Sequence, residues 1–69
     1  MAGTDESLTE QEARILQLFA DGKATKDVAK AMHLTVSTVT FYMYRIREKM
    51  EVPTNTNAVA TALRQGIID

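Results

Sequence analysis

The side chains that could carry chemistry in this sequence are mainly basic, and they lie in its middle. Residues 22–50 hold six lysines and arginines against two acids, a local charge of +4, whereas the whole 69-residue chain carries −1. Residues 1–21 carry −4 and residues 51–69 carry −1. Such segregation is typical of a surface that binds a polyanion, although a solvated charged surface gives the same pattern. Charge alone does not separate the two interpretations.

The rest of the composition excludes several classes of protein. With no cysteine, the chain has no disulfide scaffold, thiolate zinc site or cysteine nucleophile. Its single histidine, His33, cannot build a metal cluster and is expected in a turn. We predict no enzyme activity, no cofactor and no small-molecule ligand. No apolar run approaches the roughly 20 residues that a bilayer requires, and no signal peptide opens the chain, so a cytoplasmic protein is expected.

Residues that typically start and end helices divide the chain into segments. Residues 1–7 read as a flexible lead-in and residues 8–69 as one all-α domain. Thr9 and Glu12 have the spacing of a capping box at the start of a first helix, and Gly22 can end that helix in the left-handed conformation. Thr25 is the expected N-cap of a short second helix.

Two longer helices are predicted after this. Thr35 is the expected N-cap of a third helix over about residues 36–50, whose buried stripe is Val39, Met43, Ile46 and Met50. Pro53 breaks the chain, and Thr56 is the expected cap of a fourth helix that Gly66 ends. That helix is predicted to pack on helices 1 and 3 through Val59, Leu63 and Ile67.

The pair formed by helices 2 and 3 carries the functional prediction. Two helices joined by a three- to four-residue turn form a helix-turn-helix, in which the second helix can enter the major groove of DNA. The pattern alone is weakly specific, because any small helical bundle contains short helix pairs.

Several motifs in order make the chain resemble the LuxR/GerE-type helix-turn-helix DNA-binding domain over about residues 8–68. They are Leu8-Thr9-Glu10-Gln11-Glu12, Gly22-Lys23, Lys26-Asp27-Val28-Ala29, Thr35 with Ser37-Thr38-Val39, Lys49-Met50 and Ala58-Val59. The resemblance implies a four-helix domain of a bacterial transcription regulator that binds double-stranded DNA with two half-sites and forms a homodimer through helix 4. Response regulators belong to this family, and residues 38–41 are similar to its quorum-sensing members.

The resemblance also implies roles for particular residues. Base contacts fall on helix 3, at Thr40, Phe41, Tyr44 and the following Arg45. Lys26 and Thr38 match positions that usually touch phosphate, and the predicted set of phosphate contacts is Lys23, Thr25, Lys26, Thr38, Arg47 and Lys49. The two aromatic side chains could instead pack on helix 2, and the arginines could be plain solubilising charges.

Helix 4 offers a face of small side chains for dimerisation, at Ala58, Thr61, Ala62 and Gln65. Thr40 and Tyr44 stand where response-regulator members commonly have lysine. Glu51 stands where glycine is common, so a positive φ there would cost about 1 kcal/mol. The two substituted lysines, the net acidity of the chain and Thr54-Asn55 in place of a basic residue before helix 4 leave one alternative function open: a protein-interaction module of the same fold that pairs with a related regulator and has weak or no DNA binding.

Overall fold

Four helices make up the fold in the computed structural model, which describes residues 8–69. They are α1 (Glu10–Ala20), α2 (Thr25–Met32), α3 (Val36–Met50) and α4 (Asn55–Arg64). No residue from 8 to 69 lies in a strand, so the all-α prediction is confirmed. The predicted lead-in, residues 1–7, falls outside the described residues. Within residues 8–69, no helix combines the length and the apolar character that crossing a membrane requires.

The start and end of α1 follow the predicted local signals. The Glu12 amide donates to Thr9 Oγ1 at 3.1 Å, and the Thr9 amide donates to Glu12 Oε1 at 2.9 Å, which completes the capping box. Gly22 has φ +92°, a conformation that suits glycine after a helix. The side chain of Tyr42 in α3 reaches α1, where its hydroxyl donates to Gln11 Oε1 at 3.1 Å.

The turn between α2 and α3 is only three residues long, as a helix-turn-helix requires. His33 has φ 60° in the left-handed region, and the Leu34 amide donates to the Ala29 carbonyl at 2.8 Å. At the other end of α2 the predicted cap is wrong. Ala24 is the N-cap and makes no side-chain hydrogen bond, while Thr25 is the first helical residue.

α3 forms as predicted. Thr35 is its N-cap and accepts a hydrogen bond from the Thr38 amide at 3.1 Å. The stripe Val39, Met43 and Ile46 is fully buried, and Met50 is partly buried against it. The helix ends at Glu51, which takes the left-handed conformation with a φ of 59° although it is not a glycine.

The buried face of α4 is rotated from the predicted one, although Val59 packs partly buried against the core as predicted. Ala58 and Ala62 are 0% exposed and belong to the core, whereas Leu63 is 45% exposed. Alanine methyls leave the backbone of α4 free to approach α1 and α3 closely, and this close approach turns the larger side chains outward. The predicted cap is also wrong, because Thr54 caps the helix by accepting from the Asn57 amide at 3.0 Å.

The segment after α4 closes the core. Ile68 is buried, while Ile67, which was predicted to be in the core, is exposed. The Gln17 side-chain amide holds the backbone of Asp69 on both sides: Oε1 accepts from the Asp69 amide at 3.0 Å and Nε2 donates to the Asp69 carbonyl at 3.3 Å. Residues 65–69 are therefore fixed against α1.

Candidate nucleic-acid interface

The outer face of α3 presents aromatic rings to solvent. Phe41 is 55% exposed and Tyr44 is 50% exposed, and both lie away from the buried stripe. Packing on α2, the alternative considered for these rings, would have buried them. Thr40 and Arg45 are also exposed, so the four residues predicted to contact bases share the accessible side of α3.

Each ring is covered by an arginine one turn further along the helix. Arg45 Cζ lies 5.8 Å from the centroid of the Phe41 ring, and Arg47 Cζ lies 5.9 Å from the centroid of the Tyr44 ring. Both distances are within the range of a cation–π interaction. The side chain of Arg47 additionally donates from Nη1 to Asn55 Oδ1, at the first residue of α4.

The start of α2 brings together basic side chains and free backbone donors. Lys23 and Lys26 are exposed and Thr25 is half-buried. Because Ala24 supplies no side-chain acceptor, the first amides of the helix have no side-chain cap. The positive end of the helix and the two ammonium groups therefore act on the same region of solvent.

Thr38 lies in the first turn of α3. Its hydroxyl oxygen accepts from the Thr35 hydroxyl at 2.9 Å, which leaves the Thr38 hydroxyl proton available to an outside acceptor. The predicted phosphate contact at Thr38 is compatible with this geometry.

Lys49 does not fit its predicted role as a phosphate contact. Its Nζ lies 2.7 Å from Glu12 Oε1, in an ion pair whose side chains are 18% and 5% exposed. Burial by itself raises the pKa of the Glu12 carboxyl, but hydrogen bonds from Lys49 and from the Thr9 amide outweigh burial, so the pKa lies below its ordinary value. The charge of Lys49 serves the α1–α3 contact instead. No sequence signal connects two residues 37 positions apart.

The predicted dimer face on α4 also needs correction. Ala58 and Ala62 are covered by α1 and α3 and cannot touch a second chain, while Thr61 is half-buried and Gln65 is exposed. Leu63 is the one large apolar side chain among the exposed residues of α4, which are otherwise Asn55, Thr56, Asn57 and Arg64. It lines a groove of about 350 Å³ on the side of α1 together with Phe19, Ala20, Asn55, Thr56, Val59 and Ala60.

Comparison with known proteins agrees with this architecture. The sequence matches the GerE family model, described as bacterial regulatory proteins of the luxR family, over residues 6–62. The solved structure of the transcription factor GerE superposes with a TM-score of 0.86 at 27% sequence identity, covering 90% of this chain and 92% of that one.

Two curated relatives carry response-regulator names. The uncharacterized response regulatory protein YgeK of Escherichia coli K12 is 39% identical over 64 residues, which is 93% of this chain and 44% of YgeK. The response regulator VraR of Staphylococcus aureus is 40% identical over 63 residues, or 91% of this chain and 30% of VraR. The chain thus spans less than half the length of either relative.

The family is one of DNA-binding transcription regulators, which confirms the prediction that the chain is not an enzyme. The resemblance seen in the sequence motifs is confirmed as well. Because the family match covers most of the chain and the solved GerE structure shares its fold, the chain belongs to the luxR family of bacterial regulatory proteins.

Proposed function

We propose that this chain binds double-stranded DNA as a sequence-specific transcription regulator, with α3 in the major groove and α4 joining two copies. The observation that carries the proposal is the pair of half-exposed aromatic rings on the outer face of α3, Phe41 and Tyr44, in a domain that also exposes the basic start of α2. A major groove about 12 Å wide admits a helix with its side chains. A regulator of bacterial chromosomal DNA acts in the cytoplasm.

The chemistry of the α3 face sets what it reads. Apolar ring atoms contact the thymine methyl group, and an arginine such as Arg45 pairs with the acceptors of guanine. Thr40 and Tyr44 replace the lysines common in response-regulator members, so this face carries less charge and more apolar surface. We therefore expect a base preference that differs from theirs.

The start of α2 anchors the domain on the phosphate backbone. Lys23 and Lys26 supply charge, and the uncapped amides beside Thr25 supply donors. The Thr38 hydroxyl adds a donor from α3. Contacts of this kind fix the register of α3 in the groove and carry no sequence information of their own.

A second copy docks on the outward side of α4 in this proposal. Leu63 and Val59 border the groove next to Phe19, and apolar side chains there gain by being covered. Two copies related by a two-fold axis would place their α3 helices about 34 Å apart, one turn of DNA. One short helix buries little area, so the free dimer is weak and DNA favours it by mass action.

A salt titration tests the proposal. A duplex is first selected from a random library, and its binding is then followed by fluorescence anisotropy as the salt concentration rises. With Lys23 and Lys26 neutralising about two phosphates per copy, log K should fall with log salt with a slope of about −4 for a dimer. Failure to bind any duplex at about 50 mM salt would refute the proposal. The protein would then be an interaction module that pairs with a related regulator.

A further inference from the structure

We propose that Arg47 is a positioning residue, which fixes the Tyr44 ring on the reading face by tying it to α4, and is not a phosphate contact. This assigns to Arg47 a role different from the one its charge suggested. The inference rests on the proposed function, since it concerns how α3 reads bases.

The guanidinium of Arg47 is held from two sides. Its Cζ lies 5.9 Å from the centroid of the Tyr44 ring, and its Nη1 donates to Asn55 Oδ1. Arginine has a planar, rigid group that can stack and donate at once, which the single ammonium of lysine cannot do. Arg47 is half-buried as a result, whereas Arg45 is exposed.

Both ends of this bridge are anchored in the backbone. The Arg47 carbonyl accepts from the Val52 amide at 3.1 Å, in the turn that ends α3. Asn55 is the first residue of α4, immediately after the N-cap Thr54. A contact from Arg47 to Asn55 therefore connects two elements whose positions the fold already determines.

The other arginine of the face lacks such an anchor. Arg45 stacks over Phe41 at 5.8 Å, but among residues 8–69 its side chain makes no hydrogen bond or ion pair within the structure. As far as the described part of the chain goes, the charge and the donors of Arg45 are available to DNA. The two arginines thus have different roles: Arg45 contacts DNA, and Arg47 restricts the motion of Tyr44 in the protein without DNA.

Fixing the Tyr44 ring before binding should increase the specificity, measured as the affinity for the selected site relative to random DNA. A side chain that is already fixed does not lose rotamer entropy on binding, and the saving amounts to about three- to tenfold in affinity for one side chain. Because only the correct bases contact the fixed ring favourably, the affinity for the selected site increases and the affinity for random DNA does not.

Four single variants separate positioning from phosphate contact: Arg47→Ala, Asn55→Ala, Asn55→Asp and Lys26→Ala. The readouts are the ratio of affinities for a selected duplex and a random duplex, and the salt slope. Asn55→Ala should lower the ratio by about three- to tenfold although it removes no charge. Asn55→Asp keeps an acceptor for Arg47. Its added negative charge should weaken binding to the selected and the random duplex by the same factor, so the ratio of the two affinities should be retained.

The salt slope gives the second readout. Lys26→Ala should reduce the slope by about 0.9 per copy, whereas Arg47→Ala should lower the ratio and leave the slope nearly unchanged. Circular dichroism confirms that each variant is folded. In a Tyr44→Ala background, Asn55→Ala should have no further effect on the ratio, which a general loss of structure would not produce.

The outcomes are distinct. If wild-type protein enriches no duplex from the library, the proposed function and this inference both fail. If wild type enriches a site, but Asn55→Ala leaves the ratio unchanged or Arg47→Ala reduces the slope as Lys26→Ala does, only the role given to Arg47 is refuted.

Discussion

Replacing Lys49 by methionine should destabilise the domain at neutral pH much more than at acidic pH. The substitution keeps the apolar stem of the side chain and removes the ammonium that faces Glu12 at 2.7 Å. Two unit charges about 4 Å apart attract with about 4 kcal/mol at an effective dielectric constant near 20. Desolvation offsets part of this, and Lys49 keeps some exposure, so we expect a loss of about 2–3 kcal/mol at pH 7.

The pH dependence follows from the direction of the Glu12 pKa. Since this pKa is lowered from 4.5 in the folded state, the carboxylate contributes stability above about pH 4.5. That contribution is lost as the pH falls through the folded pKa. The difference between wild type and Lys49→Met should therefore shrink between about pH 5 and pH 3. Glu12→Gln, which retains an acceptor for the Thr9 amide, should cost only about 1 kcal/mol.

Urea unfolding followed by circular dichroism at pH 7 and pH 3 measures these differences. Lys30→Met is the matched control, because Lys30 is exposed in α2 and its loss changes the net charge equally. The control should change stability by less than about 0.5 kcal/mol. If Lys49→Met costs the same at both pH values, its effect comes from packing and the ion-pair argument is refuted.

Three further outcomes are expected. Glu51→Gly should raise the stability by about 0.5–1 kcal/mol in urea unfolding, because glycine adopts φ 59° without strain; Glu51→Ala should not. Ala62→Arg should abolish folding by circular dichroism, since this side chain is fully buried, whereas Leu63→Arg should stay folded but lose cooperative binding to a DNA with two half-sites. Lys26→Ala should weaken binding to selected and random duplexes equally in anisotropy titrations, whereas Tyr44→Ala should reduce the difference between them by about 1–3 kcal/mol; equal losses in both variants would contradict α3 as the reading helix.

Local signals predicted some helix boundaries and missed others, since the caps of α2 and α4 are Ala24 and Thr54 and not the predicted Thr25 and Thr56. The capping box of Thr9 and Glu12, the cap at Thr35 and the left-handed Gly22 all occur as expected, because each depends on neighbours within a few positions. The buried stripe of α3 was also predictable, since large apolar side chains at helical spacing share one face of the helix and that face packs on the core.

Features that depend on distant packing were not predictable in this way. Side-chain size alone suggested that Leu63 would be buried and Ala62 exposed. Because α1, α3 and α4 approach one another closely, only the smaller side chain, that of Ala62, fits between them. The contacts of Lys49 with Glu12 and of Arg47 with Asn55 likewise join residues on different helices. A count of basic residues assumes that every one of them can contact DNA, whereas Lys49 and Arg47 already have partners within the domain.

The exposure of Phe41 and Tyr44 has a consequence for how such a domain can diverge. Side chains that are half in solvent contribute little to the folding free energy, and substitutions at such positions usually change it by less than about 0.5 kcal/mol. A small domain has only a narrow stability margin. Under the proposed function these two residues read bases, and they can be exchanged one at a time without crossing that margin, so related domains can acquire new operators while the core contacts among α1, α3 and α4 stay unchanged.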